Sequence, residues 1–454
     1  MHAYRPPDAR LARALADYCL DRLAMQAPLD LPRAPDELEA LAGQTITAGG
    51  IGGDEALRLW AEVLGPACLS VDHPRYLSFI PSAPTKAAAG FDMLVGASSV
   101  YGGSWLEGAG AVYAENQALR WLADIAGLPP EAGGAFVQGG TIGNLSALVA
   151  ARESALHNRG GRRPARWAVC VTAETHSSVK HALRVVMDVD VVEVEGDERG
   201  RMSGAALRET VRDLSAETRD GIFAIVATAG TTNLGIVDDI AGIAAVAQEH
   251  GWWLHVDGAY GGAGLAAPSV RGLFAGVEHA DSFIVDPHKW LFSPFDCAAL
   301  LYRNPSVARS VHKQDASYLD VIHDVPGEWN PTDYAYHLTR RARGLPLWFS
   351  LSVYGVDAYS DAIEAAIDLA RQTAAEIKAS DHLELIREPE LGVVLFRRRG
   401  WDAAQYTSWA DQLLQDQVAF IPPSAWEGET VARFAFLHPH TPMDLVREIL
   451  RRMA

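Results

Sequence analysis

The middle of the chain alternates short apolar runs with helical patterns, and this alternation limits the possible folds more than any other feature. Six such runs occur between residues 134 and 303: GAFVQGG, RWAVCVTAETH, GIFAIVATAGTT, WWLHVDGAY, DSFIVDPHK and CAALLYR. Each is apolar on both faces and is followed by small polar residues and then by a helical pattern. Strands of this kind predict a doubly wound α/β domain with a buried, parallel sheet.

Polar side chains stand at the ends of four of these runs. They are His176, Thr231, Asp257 and Lys289. Ligands bind outside the carboxyl ends of the strands in open α/β sheets. We therefore expect these four side chains to surround one site.

The two ends of the chain follow other patterns. Residues 8–25 carry an apolar helical stripe that needs a partner surface. Residues 304–336 have no clean period, and a stretch this long without regular structure is usually functional or disordered. An α+β tail follows, with β-like VVLFRRR and VARFAFL and a helix whose apolar face comprises Ile363, Ala366, Ile367, Ala370, Ala374 and Ile377.

Charge and cysteine usage disfavour several classes of partner. Lysine and arginine number 39 against 57 aspartates and glutamates, a net charge of −18. This charge repels phosphate backbones and anionic lipids, so we expect no nucleic-acid or membrane partner. The scattered Cys19, Cys68, Cys170 and Cys297 form no CxxC pair, which fits a reducing compartment. Without a signal-peptide core or a membrane-length apolar run, the protein is expected to be cytoplasmic.

Lys289 lies in DPHKW, directly after the apolar strand SFIV. A lysine at a buried strand end costs free energy unless it is paired or functional. Such a lysine commonly reaches solvent. The alternative is a desolvated amine that attacks the carbonyl group of a cofactor.

Asp257 ends the apolar strand of WWLHVDGAYGG. A carboxylate there could cap the next helix. It could also hold a proton on a heterocyclic nitrogen. Pyridoxal phosphate needs that second arrangement, because a protonated pyridine nitrogen makes the ring a strong electron sink.

The segment QGGTIGNLSAL at 138–148 is a candidate phosphate site. Adjacent glycines allow close backbone approach, Thr141 adds a hydroxyl, and the following helix N-terminus favours an anion. The segment matches neither the GxGxxG fingerprint nor the GxxxxGK[ST] loop. A glycine-rich turn before a helix is common, so the motif alone carries little weight.

His176 follows the strand WAVCV. A histidine there is more often a helix cap or a satisfied polar group. Its flat ring could instead stack on an aromatic cofactor and donate hydrogen bonds to a substrate. His181 lies five residues on, off the spacing of helical metal ligands, so we expect no metal site.

The conjunction of these motifs resembles a known family. HVDGAY, with a lysine in DPHKW 32 residues after its aspartate, is accompanied by THSSVKHA upstream and GTTNLGIVDD between them. This set resembles the group II pyridoxal-phosphate-dependent amino-acid decarboxylases, which include aromatic-L-amino-acid, tyrosine and glutamate decarboxylases. The similarity extends from about His73 to Gly355.

The resemblance implies roles for individual residues. Lys289 would bind pyridoxal 5'-phosphate covalently, Asp257 would pair with its ring nitrogen, and His176 would stack on its ring. The other implied cofactor contacts are Gly140, Thr141 and His288 at the phosphate, Thr231 or Thr232 nearby, and Ala259 beneath the ring. DASYL resembles the family's mobile catalytic loop, here about residues 310–335, which makes Tyr318 the candidate proton donor.

Two positions depart from the family pattern. Asp286 stands where members commonly have asparagine, and an aspartate is less favourable beside a phosphate. Gly103 in YGGSW stands where aromatic-specific members have a large apolar wall, which leaves the size of the substrate open.

The implied fold is α/β, the type I pyridoxal-phosphate (aspartate-aminotransferase-like) fold. We expect an N-terminal helical segment at 1–75, a large cofactor domain with a mostly parallel sheet at 76–345, and a small α+β domain at 346–454. Family members are homodimers with active sites at the subunit interface. The N-terminal helices would therefore find their partner surface on the other subunit.

The implied reaction is decarboxylation of an L-amino acid to its amine and carbon dioxide. An aromatic substrate is favoured by the apolar or aromatic character of the candidate substrate segments, which contain Phe79, Pro81, Ser82, Tyr101 and Trp105. An acidic substrate would need a cation, for which Arg75 and Lys86 are nearest.

Three alternatives stay open. An aminotransferase of the same fold would use the same lysine and aspartate, with Arg433 available for the substrate carboxylate. An aldehyde synthase would decarboxylate and consume oxygen. An inactive scaffold is disfavoured because Lys289, Asp257 and His176 are all intact.

Overall fold

A mixed sheet occupies the middle of the chain in the computed structural model, which describes residues 6–81, 83–314 and 327–454. In this part of the chain the sheet has seven strands in the order β1-β7-β6-β5-β4-β2-β3. They are β1 (Gly133–Val137), β2 (Ala168–Thr172), β3 (Asp190–Val194), β4 (Ile222–Thr228), β5 (Trp253–Asp257), β6 (Ser282–Val285) and β7 (Ala298–Tyr302).

Strand β7 departs from the expected parallel arrangement. The pairs from β3 through β2, β4 and β5 to β6 are parallel, but β7 is antiparallel to both β6 and β1. The prediction that CAALLYR forms a parallel strand was therefore wrong. Residues 286–297 join β6 to β7 without a helix, so the chain turns back where a parallel strand would need a crossover.

Helices cover the sheet, and α6 (Gly140–Asn158) crosses the strands that carry the site. Gly143 allows this close approach, because a Cβ there would lie 1.9 Å from Cδ1 of Ile284 on β6. The other helices of this region are α4 (Lys86–Ser98), α5 (Trp105–Ile125), α7 (Ser177–His181), α8 (Gly204–Asp213), α9 (Ala216–Gly221), α10 (Ile240–His250) and α11 (Pro305–His312).

The C-terminal part combines helices with a small antiparallel sheet. The long helix α12 (Leu345–Lys378) is kinked at Gly355, and its predicted apolar face is buried, as expected. The sheet order is β10-β11-β9-β8. These elements are β8 (Leu383–Leu385), β9 (Val393–Arg398), β10 (Ser424–Trp426) and β11 (Glu429–Ala435), with α13 (Ala403–Gln415) and α14 (Met443–Arg451).

The N-terminal helices leave apolar side chains uncovered. These helices are α1 (Pro6–Ala24), α2 (Pro35–Ala42) and α3 (Gly53–Leu59), and α1 buries none of its residues. Leu15, Leu20 and Met25 stay exposed. None of the helices in the described ranges is both long and apolar enough to cross a membrane. The four cysteines, all described, are free thiols.

Candidate active site

A cavity of about 420 Å³ opens where β2, β4, β5 and β6 end. It brings together most of the cofactor residues expected from the sequence. Its wall includes Gly140, Thr141, His176, Thr232, Asp257, Ala259, Asp286, His288 and Lys289, together with Gln138, Gly139, Asn144, Glu174, Ser178, Thr228, Gly230, Tyr260, Phe295 and Asp296.

Lys289 is held at this cavity by an ion pair. Its Nζ lies 3.0 Å from Oδ2 of Asp286, a carboxylate that is only 2% exposed. The backbone N–H of Gly140 donates to the same oxygen at 3.3 Å. Asp286 therefore connects the candidate amine with the first turn of α6.

His288 lies between Asp286 and the backbone of Cys297. The N–H of Cys297 lies 3.1 Å from Nδ1 of the ring, which is also 2.7 Å from the Cys297 oxygen. Its Nε2 lies 3.7 Å from Oδ2 of Asp286. Burial lowers the pKa of His288 below its usual 6.5, so the ring is neutral at pH 7.

Asp257 ends β5 as a buried carboxylate. Nδ2 of Asn144 donates to its Oδ2 at 3.0 Å, and the N–H of Ala259 donates to its Oδ1 at 3.1 Å. Both donors are neutral amide groups, so neither pairs with this carboxylate as a cation. This arrangement suits a protonated ring nitrogen.

His176 has the first of the two roles weighed from the sequence, that of a helix cap. It is the N-cap of α7, where its Nδ1 accepts a hydrogen bond from the N–H of Ser178 at 3.3 Å. Its ring also forms part of the cavity wall. The capping contact fixes the imidazole without covering it.

The N-terminus of α6 is open toward the cavity. Its first N–H, that of Gly140, donates to Asp286, but its N-cap Gly139 has no side chain to cap the other N–H groups of the first turn. A Cβ on Gly140 would lie 3.2 Å from Oδ2 of Asp286 and 3.3 Å from Cβ of Ala259. Glycine therefore keeps this helix end accessible, and such an end favours an anion.

Among the residues that the structure describes, three buried polar atoms around the cavity have no hydrogen-bond partner: Oε1 of Gln138, Oγ1 of Thr228 and Oδ1 of Asp286. Buried polar atoms are nearly always paired in folded proteins. Their concentration here fits a ligand that carries several polar groups.

Some predicted residues lie elsewhere. Thr231 is absent from the cavity wall, and its Oγ1 accepts from the N–H of Ile236 at 3.1 Å. Thr228, the last residue of β4, supplies a hydroxyl instead. The candidate substrate residues Phe79, Pro81, Tyr101 and Trp105 do not line the cavity, whereas Ser82 and Tyr318 lie outside the described residues.

Several wall residues were not predicted from the sequence, among them Asn144, Glu174, Thr228, Phe295 and Asp296. Thr228 could have been found, because it ends a parallel strand as Asp257 does. Asn144 carries no comparable signal, since it stands inside a helix of mainly small and apolar residues.

Comparison with known proteins shows to which family the chain belongs. The sequence model described as the pyridoxal-dependent decarboxylase conserved domain matches residues 54–399. The chain belongs to this family. An aromatic-L-amino-acid decarboxylase of Bacillus atrophaeus is 34% identical over 394 residues, covering 84% of this chain and 81% of that protein. An L-2,4-diaminobutyrate decarboxylase of Rhizobium meliloti (strain 1021) is 30% identical over 411 residues, covering 86% and 80%.

The fold of this decarboxylase is also that of solved structures. The Oryza sativa TDC with PLP and tryptamine superposes with a TM-score of 0.87 at 24% identity, covering 99% of each chain. The protein thus has the type I fold and is a pyridoxal-phosphate-dependent carboxy-lyase that acts on an amino acid. The open end of α6 and the unpartnered polar atoms fit that cofactor.

Proposed function

We propose that this decarboxylase converts an aromatic L-amino acid to its amine and carbon dioxide. The observation that carries the proposal is the cavity on which Lys289, Asp257 and His176 converge at the strand ends. A carbonyl-binding amine and an anion for a ring nitrogen are the groups that pyridoxal phosphate requires.

The bound cofactor supplies an electron sink for the electron pair left on the substrate Cα when carbon dioxide departs. Lys289 would hold its carbonyl carbon, and the ion pair with Asp286 keeps this lysine at the cavity. Asp257 would hold a proton on the ring nitrogen. Gly140, Thr141 and His288 would bind the phosphate, with His176, Thr228 and Ala259 as further contacts.

A proton must return to Cα after carbon dioxide leaves. Tyr318 is our proposed donor on the family resemblance, and His176 is the alternative because its ring lies on the cavity wall. The two donors are distinguished by the products of the Tyr318→Phe variant.

The charge of the cavity argues against an acidic substrate. Among the described residues of its wall, Lys289 is the single lysine and no arginine occurs, whereas four carboxylates do: Glu174, Asp257, Asp286 and Asp296. Arg75 binds the backbone oxygen of Gln417, and Lys86 lines a separate cavity. The exposed ring of Phe295 adds an apolar surface, which supports an aromatic substrate.

The same carboxylates support a second candidate, a substrate with a side-chain ammonium group. Burial raises the pKa of Glu174 above its usual range, and a bound ammonium would offset that cost. One relative is named a diaminobutyrate decarboxylase. We rank this candidate second, because Asp286 and Asp296 already pair with Lys289 and Arg343.

An aminotransferase is less consistent with the placement of Arg433. Its guanidinium donates to the backbone oxygens of Phe79, Thr232 and Asn233, and it is not part of the cavity wall. These contacts occupy the arginine that such a reaction would use for a substrate carboxylate. An aldehyde synthase remains an alternative, because it would share Lys289 and Asp257.

We also propose a homodimer. Further exposed apolar side chains lie on neighbouring helices: Met93 and Leu94 on α4, which contacts α1, and Val353, Tyr354 and Val356 on α12, which contacts α4. Exposed apolar side chains on adjoining helices are typical of an interaction site. Analytical ultracentrifugation should give twice the chain mass of 49.0 kDa. A single chain mass would contradict the dimer.

The substrate class is tested by comparing kcat/KM across L-tryptophan, L-tyrosine, L-DOPA, L-glutamate, L-aspartate and L-2,4-diaminobutyrate. The proposal predicts the highest value for an aromatic amino acid. Glu174→Gln should change that value less than threefold, as should the exposed control Glu131→Gln. A selective loss with diaminobutyrate in Glu174→Gln would establish the second candidate instead.

A further inference from the structure

A line of four hydrogen bonds extends from Asp257 into the protein. Nε1 of Trp253 donates to Oγ of Ser282 at 2.8 Å, and that hydroxyl lies 2.8 Å from Nδ1 of His255. Nε2 of His255 lies 2.7 Å from Oδ1 of Asn144, and Nδ2 of Asn144 donates to Asp257 at 3.0 Å. We call these residues the Asp257 relay.

The relay follows from strand geometry. Trp253, His255 and Asp257 are alternate residues of β5, so their side chains share one face of the sheet. Ser282 lies directly opposite His255 in the parallel β5–β6 register. Helix α6 crosses this face and places Asn144 between the histidine and the aspartate.

Every donor in the relay points toward Asp257. Nδ2 of Asn144 donates to Asp257, so the amide presents its oxygen to His255. Nε2 of His255 must then carry a proton. Trp253 is a donor only, which leaves the Ser282 proton free for Nδ1 of His255.

Burial maintains this direction of the hydrogen bonds. His255 and Ser282 are fully buried, and Asn144 is 2% exposed. Burial lowers the pKa of His255 to about 4, so the ring is neutral at pH 7 and carries one N–H. Aligned hydrogen bonds polarise one another in such surroundings, which strengthens the final bond to the carboxylate.

We propose that Asn144 and His255 are positioning residues that keep Asp257 ionised and oriented toward the ring nitrogen of pyridoxal phosphate. This inference rests on the proposed cofactor role of Asp257. The relay contributes no charge of its own, and it offers Asp257 one hydrogen-bond donor, the amide of Asn144. It thereby favours the carboxylate that a protonated ring nitrogen requires.

The test uses holoenzyme reconstituted with pyridoxal phosphate that is 15N-labelled at the ring nitrogen, whose chemical shift reports protonation. Asn144→Leu and His255→Met remove the donors at similar volume, whereas His255→Gln retains one. We expect the ring-15N signal of the first two variants to move toward the unprotonated position and that of His255→Gln to stay near wild type. The cofactor Kd should rise about tenfold in the first two variants.

Two further variants complete the test. Asn144→Ala provides a smaller change if Asn144→Leu does not fold, with the same expected shift. Asn158→Leu, at the exposed far end of α6, removes an amide outside the relay and should leave the signal unchanged.

The results distinguish a failure of the relay inference from a failure of the proposed function. If Asp257→Asn moves the ring-15N signal but the Asn144 and His255 variants match wild type, the relay inference is overturned and the cofactor role of Asp257 stands. A wild-type ring nitrogen that is already unprotonated would contradict the role of Asp257 itself, and with it the inference.

Discussion

The Nζ atom of Lys289 and the Oδ2 atom of Asp286 lie 3.0 Å apart, and both residues line the cavity. Asp286 is almost fully buried, so the pair is poorly screened by solvent. The same oxygen accepts from the N–H of Gly140. The lysine that would bind the cofactor is thus fixed relative to the helix end that would bind its phosphate.

Lys289→Ala should abolish decarboxylation, because no other lysine among the described residues lines the cavity. Borohydride reduction of the wild-type holoenzyme should attach the cofactor to the peptide that contains Lys289, as read by mass spectrometry. Lys378→Ala, an exposed lysine at the end of α12, is the matched control and should retain both label and activity. Label on another lysine would show the assignment to be wrong.

Asp257→Asn should bind the cofactor and lose most turnover. An amide cannot neutralise a protonated ring nitrogen, and a hundredfold lower kcat would correspond to about 2.7 kcal/mol of barrier. The loss should appear in single-turnover kinetics with the cofactor saturating. Near-normal turnover would refute the electron-sink role of this carboxylate.

Tyr318→Phe should lower the yield of amine and raise the yields of aldehyde and ammonia, with oxygen consumed and reduced to hydrogen peroxide. Without the phenol, Cα is protonated more slowly, and its electron pair is exposed to oxygen for longer. Tyr336→Phe, an exposed tyrosine nearby in sequence, should keep the wild-type products. Amine, aldehyde and oxygen are measured in the same reaction. An unchanged amine yield in Tyr318→Phe would move the donor role to His176 or another group.

Acid should destabilise the protein through His255. Burial lowers its folded-state pKa to about 4 from the usual 6.5, so the unfolded chain binds more protons between these values. The contribution to stability is complete above pH 6.5 and is lost as the pH falls toward 4. It amounts to at most about 3 kcal/mol.

His255→Gln cannot be protonated and should weaken this pH dependence. Urea unfolding of the wild type and the variant at about pH 7 and about pH 4.5 measures the difference. Some pH dependence should remain, because burial also lowers the pKa values of His337 and His438 to about 4. Identical pH dependence in both proteins would contradict a neutral, buried His255.

The central sheet and its strand-end residues could be predicted because both correspond to local patterns in the sequence. Apolar runs mark the strands, and the polar residue that ends each run, such as Asp257 or Lys289, lies at the carboxyl edge. The direction of β7 could not be predicted in this way, since an apolar run reads the same in either orientation.

The rest of the wall depends on tertiary packing. Asn144 meets Asp257 only because α6 crosses β5, and Phe295 and Asp296 reach the cavity from the turn between β6 and β7. The apolar character of Phe79 and Tyr101 does not determine how far either residue lies from Lys289. Tyr101 instead donates to the backbone oxygen of Leu338.

The most direct test of the account is the yield of carbon dioxide from purified holoenzyme, screened against the twenty amino acids and L-DOPA, with the amine quantified alongside. We predict equal amounts of carbon dioxide and amine, greatest with an aromatic amino acid and absent in Lys289→Ala. Cofactor-loaded protein that releases no carbon dioxide from any of them would contradict the account.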